Sequence, residues 1–172
     1  MPNYTIREAV PADARQLLAH LKRITAEPDS NIALTADEAA RMSVEDEIHW
    51  IRNFQKTDNS VLLVAEADGQ IVGVLDCNGG QRQLLRHVGV IGIVVHPDWR
   101  DKGVGTALMQ QAIQWAKDSG IIARLELDVF AQNARAIHVY EKVGFAAEGR
   151  KAHAYRRDGQ YIDSLIMSLL LD

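Results

Sequence analysis

The stretch that most limits what this chain can fold into runs from His87 to Thr106. From His87 to Val95 it is almost uninterruptedly apolar and β-branched, the composition of a central strand covered on both faces, and His96-Pro97 stops it. A short loop then delivers the chain to a helix. From Val104 to Ser119, apolar residues at 104, 107, 108, 112, 115 and 116 form one broad stripe, Gln110, Gln114, Lys117 and Asp118 lie outside it, and Gly120 supplies the stop. A buried strand is thus tied to the start of an amphipathic helix by a loop containing Gly103 and Gly105, so sheet and helix must share one core.

The flanking segments extend this pattern in both directions. Residues 4 to 9 alternate as a strand, and Pro11-Ala12-Asp13 precedes Leu17, Leu18, Leu21 and Ile24 at helical spacing, with Asp13 and Gln16 placed for a capping box. Val44, Ile48, Ile51 and Phe54 signal a second helix after Ser43, and the segment between the two helices reads as a polar connection. Residues 60–66 and 70–76 flank Asp68-Gly69 as a hairpin. Beyond Gly120, residues 124–130 alternate as a strand and Asn133 caps a short helix with apolar positions 136, 137, 140 and 143 that Gly144 ends. A last hairpin turns at Asp158-Gly159, its second arm running from Tyr161 to Leu171. Meander, central strand, helix, strand, helix and hairpin indicate an α/β (or α+β) fold: one domain over residues 1–172, with a mixed, mostly antiparallel twisted sheet and helices on both faces.

Charge and cysteine usage narrow the partners. A net charge of -4 with interspersed signs offers no basic stripe for nucleic acid. No stretch approaches the ~20 apolar residues of a membrane span, and the N-terminal residues lack the apolar run of a signal peptide. The single cysteine, Cys77, reads as a reduced thiol near a strand end in a cytoplasmic protein, and no metal-ligand spacing surrounds it.

The junction at 94–106 is an anion site by its chemistry. The first backbone N–H groups of a helix lack internal partners, the helix dipole adds positive potential, and glycines allow close approach of a phosphate. Arg100 and Lys102 add cationic charge beside them. The spacing fits neither a Walker A loop nor G-x-G-x-x-G, because position 108 is Leu.

Arg100-x-x-Gly103-x-Gly105 after a β-branched strand resembles the pyrophosphate-binding motif of the GNAT acetyltransferase superfamily. Asn133 to Phe145, with its Asn, Tyr140 and terminal Gly-Phe, is similar to that superfamily's later motif. The resemblance implies acetyl-CoA as cosubstrate, held by Ile93, Val94, Val95, Arg100, Asp101, Lys102, Gly103, Val104, Gly105, Thr106, Asn133, Ala136, Tyr140 and Lys142. The backbone of 93–95 would pair with the pantetheine arm, amides 102–106 would cradle the pyrophosphate, and Asn133 would hold the arm's amide. The reaction it implies is N-acetylation of a small primary amine such as an amino acid, by direct attack in a ternary complex. A protein N-terminus or lysine as acceptor, and a non-catalytic acyl-CoA sensor, are the alternatives, and a homodimer is expected from the likeness and from the apolar final strand.

Acetylating an amine needs a free lone pair, whereas alkylamines titrate near ~10.4, so a proton must leave before or during attack. A backbone N–H near Val95 can polarise the thioester carbonyl. By the resemblance, Tyr140 faces the sulfur as general acid. For the base, Glu126 and Asp128 should share one strand face opposite Leu125, Leu127 and Val129. The resemblance favours Asp128, five residues before Asn133, where some similar protein N-terminal acetyltransferases carry a catalytic glutamate; Glu126, His87, His96 or a water relay remain open. Val90 and Gly92 place no carboxylate on the central strand itself. Acceptor selection is assigned to residues 25–55 and the final hairpin, with Trp50, Phe54, Tyr155 and Tyr161 as possible pocket walls.

Overall fold

The computed structural model describes residues 3–171. Seven strands form one sheet in the order β1-β2-β3-β4-β5-β7-β6: β1 (Thr5–Glu8), β2 (Val61–Ala67), β3 (Gln70–Gly79), β4 (Val88–Val95), β5 (Arg124–Phe130), β6 (Ala146–Arg157) and β7 (Gln160–Leu170). All neighbours are antiparallel except β4 and β5. Helices α1 (Ala14–Thr25), α2 (Ala36–Arg41) and α3 (Val44–Gln55) fall between β1 and β2, α4 (Val104–Ser119) links β4 to β5, and α5 (Ala134–Lys142) follows β5. The mixed, mostly antiparallel fold class expected from the sequence is the one observed.

Two cores sit on the two sheet faces. On one, Val104, Leu108, Met109, Ala112 and Ala116 of α4 close over Val61, Leu63, Ala65 and Ala67 of β2, Val72, Leu75 and Cys77 of β3 and Leu125, Leu127 and Val129 of β5, joined by Tyr140 of α5. On the other, Ala14 and Leu17 of α1 and Ile51 and Phe54 of α3 cover Leu62, Val64, Ile71 and Val74. The spacing of the apolar residues in each helix sets which side faces the sheet. The second group reaches only β2 and β3, so the same face of β4, β5 and β7 is left open: Val90 is exposed and Gly92 and Val94 are half-buried. The expectation of a central strand covered on both faces therefore fails for β4, whose apolar run serves one covered face and one open one.

Four further local differences have identifiable causes. Asp13 does not cap α1, because its carboxylate is taken by the Arg7 guanidinium (2.7 and 2.8 Å) and the Val10 N–H (2.8 Å), while Gln16 reaches Gly69 and Ile71 instead. The segment expected as a polar connection holds α2, whose Thr35 and Glu38 form a reciprocal capping box. Cys77 lies within β3 and is fully buried, its thiol pushed up to about 12 by burial. The apolar final strand β7 is interior, paired with β5 and β6, so its edge invites no partner, and the sheet edge is the charged, exposed β6.

Helix α4 lies close on β3. A Cβ at Gly73 would sit 2.9 Å from Leu108 Cδ1 and 3.0 Å from Val104 Cγ1, so the glycine sets the helix-to-sheet distance. Leu108→Ala should cost ~2–5 kcal/mol by urea unfolding, and Gly73→Ala ~1–3 kcal/mol by overpacking. The double variant should lose at least ~0.5 kcal/mol less than the sum, since one methyl enters the space the other change vacates. Strict additivity would mean that the two residues do not share this contact.

Candidate active site

The site begins where β4 and β5 separate. They pair only at Val88↔Arg124, Gly89↔Leu125 and Val90↔Glu126, whereas β4 follows β3 to Val95↔Gly73 and β5 follows β7 to Phe130↔Ser164. Beyond Val90 the sheet is split. The His96 N–H donates to the Val72 carbonyl and the Gly80 N–H to the Val88 carbonyl, which fixes the even-numbered residues of β4 as those bonded to β3. The N–H and C=O groups of Ile93 and the N–H of Val95 consequently face the split, on a strand edge able to take an extended ligand, while the Val95 carbonyl is taken by Arg100. Ile93 and Val95 also pack against the core under α4, while Val94 lies on the open face.

The N-terminus of α4 stands at the end of this edge. Asp101 (φ 59°) and Gly103 (φ 83°) are left-handed and turn the chain abruptly into the helix. The first intrahelical bond is from the Ala107 N–H to the Gly103 carbonyl at 2.9 Å. The amides of Val104, Gly105 and Thr106 therefore have no partner among the described residues and point out of the positive end of a 16-residue helix. A Cβ at Gly105 would meet Val95 Cγ2 at 3.7 Å, an ordinary contact, so the fold does not itself demand glycine there.

The cations expected beside these amides are differently occupied. Arg100 is paired with both oxygens of Glu27 at 2.9 Å and donates from Nε to the Val95 carbonyl at 3.3 Å. It braces the loop against α1's C-terminal end, and Glu27 offsets its charge. Lys102 lies over the Trp99 ring at 5.3 Å, exposed to solvent. Asp101 faces Arg135 at 3.5 Å, linking this loop to the first turn of α5.

Helix α5 forms the other wall. Asn133 caps it, its Oδ1 accepting from the Ala136 N–H at 3.3 Å, which leaves the amide nitrogen uncommitted among the described residues. Ala136 is half-buried and Lys142 exposed in the last turn. Tyr140 is 7% exposed in the core under α4, its hydroxyl without a protein partner among the described residues, and burial pushes the phenol up to about 12.

The carboxylates of β5 part company in their partners. Glu126 is bound by Arg124 (2.9 Å), which also holds Glu148, so it belongs to a surface ion network. Asp128 is bound by Lys151 and accepts from the Tyr155 hydroxyl at 3.3 Å, and Tyr155 packs on Phe130 at 4.9 Å. These groups lie on the open face, so Asp128 and Tyr140 are on opposite sides of β5 and meet only through the split. Arg157 crosses above, packed over Phe130 and bonded to the carbonyls of Ser30 and Ile32, which ties the α1–α2 connection to the final hairpin. Segments 25–55 and 146–170 thus meet over the open face. Trp50 and Phe54 do not wall it: they pack edge-to-face in the core under α3, and Tyr161 is exposed against His153. His96 accepts from the Asp98 N–H and lies against His20 of α1, and His87 is exposed before β4. Neither joins Asp128 or Tyr140.

One charged residue on the open face escaped the sequence reading. Asp76 of β3 pairs with Gly92 and is the only residue between Ile71 and Cys77 that is not buried. A lone carboxylate in an apolar strand was the available signal. Among the described residues, no three His, Cys, Asp or Glu side chains converge as a metal site, and no helix is long and apolar enough to cross a membrane.

A family model described as Acetyltransferase (GNAT) family matches residues 15–145. The chain is 41% identical over 106 residues to the L-amino acid N-acetyltransferase AaaT of Escherichia coli K12, covering 62% of this chain and 65% of that one. The chain spans 43–65% of the lengths of the first curated relatives it matches. An acetyltransferase of the GNAT family from Streptococcus pneumoniae superposes with a TM-score of 0.92 at 34% identity, covering 99% of this chain and 100% of the other. YncA of Salmonella typhimurium, solved with its cofactor acetyl-CoA, superposes with a TM-score of 0.87 at 22% identity over 98% of this chain and 94% of its own, a likeness of fold.

Three unpaired amides at one helix end make a direct expectation for an anionic ligand. Gly103→Asp puts a carboxylate beside them at a left-handed position, and calorimetry should find acetyl-CoA bound more weakly, by up to about thirtyfold, since such a charge at a helix N-terminus is worth up to ~2 kcal/mol. Unchanged affinity in a folded variant would move the ligand away from this loop.

Proposed function

The chain belongs to the acetyltransferase (GNAT) family, and from that footing we propose that it transfers the acetyl group of acetyl-CoA to the primary amine of an amino acid or related small molecule. Attack is direct, within a ternary complex. The observation that carries this reading is the parting of β4 from β5 beside the unpaired amides of α4. An anion cradle leads into a strand-like slot beneath α4 and α5, and the slot is uncovered on the opposite sheet face, so a thioester can lie along β4 and a nucleophile approach it from the open side.

In this reading the amides of Val104, Gly105 and Thr106 hold the pyrophosphate and the edge of Ile93 to Val95 pairs with the pantetheine arm. The free amide nitrogen of Asn133 donates to that arm, with Ala136 and Lys142 along its flank. The arm runs from the amide cradle beside Val95 toward Gly92, so of the free amides on this edge that of Ile93 donates to the thioester oxygen as the tetrahedral oxyanion forms, in place of the amide near Val95 expected from the sequence. Arg100, Asp101 and Lys102 act by shaping the loop, since Arg100 is engaged by Glu27. Asp128, steadied by Lys151 and Tyr155, stands on the acceptor side as the carboxylate that attracts the substrate's ammonium group. The roof tied down by Arg157 suits a small acceptor, as does the likeness to an amino-acid acetyltransferase. A single unpaired cysteine accords with a reducing, cytoplasmic setting.

Burial decides how Tyr140 helps the leaving group. A phenol at about 12 stays protonated throughout the working range, whereas a thiol like that of CoA titrates near ~8.5. Complete transfer from the phenol to a thiolate with the free thiol's affinity for protons is uphill. The hydroxyl therefore stabilises the departing sulfur by hydrogen bonding, and the proton that ends on sulfur comes from the amine.

Release of CoA, followed with a panel of amino acids, polyamines and peptides, tests the reaction. Turnover should be fastest with free amino acids; tight acetyl-CoA binding without turnover on any amine would make the chain an acyl-CoA-binding module. Tyr140→Phe should slow the single-turnover chemical step about 10- to 100-fold, the worth of one hydrogen bond to a charged group (~1.5–3 kcal/mol), with acetyl-CoA affinity unchanged. A chemical step within twofold of wild type would reduce Tyr140 to packing.

A further inference from the structure

We propose that Asp76, on β3 behind the strand that lines the split, is the general base that takes the first proton from the acceptor's ammonium group. The inference rests on the transferase reading above and names a residue for it.

The position of Asp76 is hard to explain by stability. Ile71 to Leu75 and Cys77 are buried, and a carboxylate among them has no cation: its one neighbouring partner is the Asn78 amide, which donates to Oδ2 at 2.6 Å. A half-buried carboxylate without a counter-charge is costly, and an apolar residue would serve β3 better. What the placement does provide is reach. Gly92, opposite on β4, has no side chain, and the Asp76 carboxylate leans into the space this leaves: a Cβ at Gly92 would stand 2.6 Å from Oδ1. Oδ1, the oxygen that Asn78 does not hold, thus projects over β4 at the second residue past its last pairing with β5. Continuing the register of Val88↔Arg124 and Val90↔Glu126 would set Gly92 beside Asp128. Asp76 is paired with Gly92 on one side of the split, and Asp128 lies two residues past the last β4–β5 pair on the other, so the two carboxylates stand on opposite rims of its narrow end with the glycine on the nearer strand.

The two carboxylates differ in what holds them. Asp128 is engaged by Lys151 and Tyr155. Asp76 faces Asn78 on its own strand, Leu62 on β2 and Gly92 on β4; Cys77 adjoins it and is held protonated by burial, and no Lys, Arg or His among the described residues bonds it. Burial raises it to about 6, which keeps it ionised at neutral pH while making it a stronger base than an ordinary carboxylate.

The proton balance is as follows. The ammonium N–H bond breaks and its proton passes to Asp76 Oδ1, leaving a lone pair on nitrogen. That lone pair forms the C–N bond to the thioester carbon, and the C–S bond breaks with its electrons going to sulfur. The second proton lost from nitrogen ends on sulfur, giving CoA thiol and the N-acetyl product. Asp76 then releases its proton to water.

The test is the pH dependence of kcat at saturating amine for wild type and Asp76→Asn, with acetyl-CoA affinity measured in parallel. Wild-type kcat should fall as the pH drops through about 6. Asp76→Asn should lose ~10²–10⁴-fold in kcat at neutral pH and lose that acid limb, with acetyl-CoA bound as before. Gly92→Ala keeps the carboxylate but crowds Oδ1 aside, and should lower kcat at least tenfold, which keeps the idea open to test if Asp76→Asn does not fold. A rate within twofold of wild type, or a slowed enzyme that retains the acid limb, would overturn the assignment of Asp76. A wild-type chain that acetylates no amine would instead sink the transferase reading beneath it.

Discussion

The proposed chemistry of this fold depends on a sheet that stops being continuous at its centre. An interior strand edge leaves backbone donors and acceptors that must find water or ligand, and leaving such groups unmade is expensive. The protein tolerates it because each half of the sheet is complete on its own: β1 to β4 form one antiparallel unit, and β5, β7 and β6 another. Three paired residues and the helices α4 and α5 hold the halves together. The chain crosses between them through α4, so the turn that makes the connection also presents three unsatisfied amides at the mouth of the gap. Connection and unpaired helix end are one piece of backbone.

The same cause, exclusion of water, moves two groups on either side of the gap in useful directions. It holds the Tyr140 phenol up at about 12 and lifts the Asp76 carboxylate to about 6. One becomes a donor that does not ionise, the other an acceptor poised near neutrality, and neither needs a charged partner to get there. Where polar partners are present, as for Asp128 with Lys151 or Glu148 with Arg124 and Ser168, the carboxylates are fixed in place.

Much of this architecture was legible because period and punctuation report local structure. The Asp68-Gly69 hairpin, the α4 stripe and the Asn133 cap all fall where spacing put them. The unread parts turn on contacts distant in sequence. Arg100 sits at the spacing of a phosphate ligand, yet Glu27 takes it, 73 residues away. The apolar run of β4 could not announce that one of its faces would lie open, since hydrophobicity does not say whether the covering group is a helix or a bound molecule. The six-residue α2 is too short to show a period, although its Thr35-Glu38 box was written plainly. Asp76 was the reverse case: its strangeness was in the sequence, and its meaning needed Gly92 on the next strand.

Cys77 makes the core readable from outside. It is the chain's one thiol, fully enclosed in β3 directly across from Ile91 at the gap, and at about 12 it carries almost no thiolate at ordinary pH. An alkylating dye can reach it only when the first half of the sheet opens, so labelling kinetics become a clock for that opening. Any molecule that binds in the gap of the closed form slows the clock in proportion to its occupancy. The protein thus carries its own occupancy gauge, one that needs no turnover and no knowledge of the acceptor.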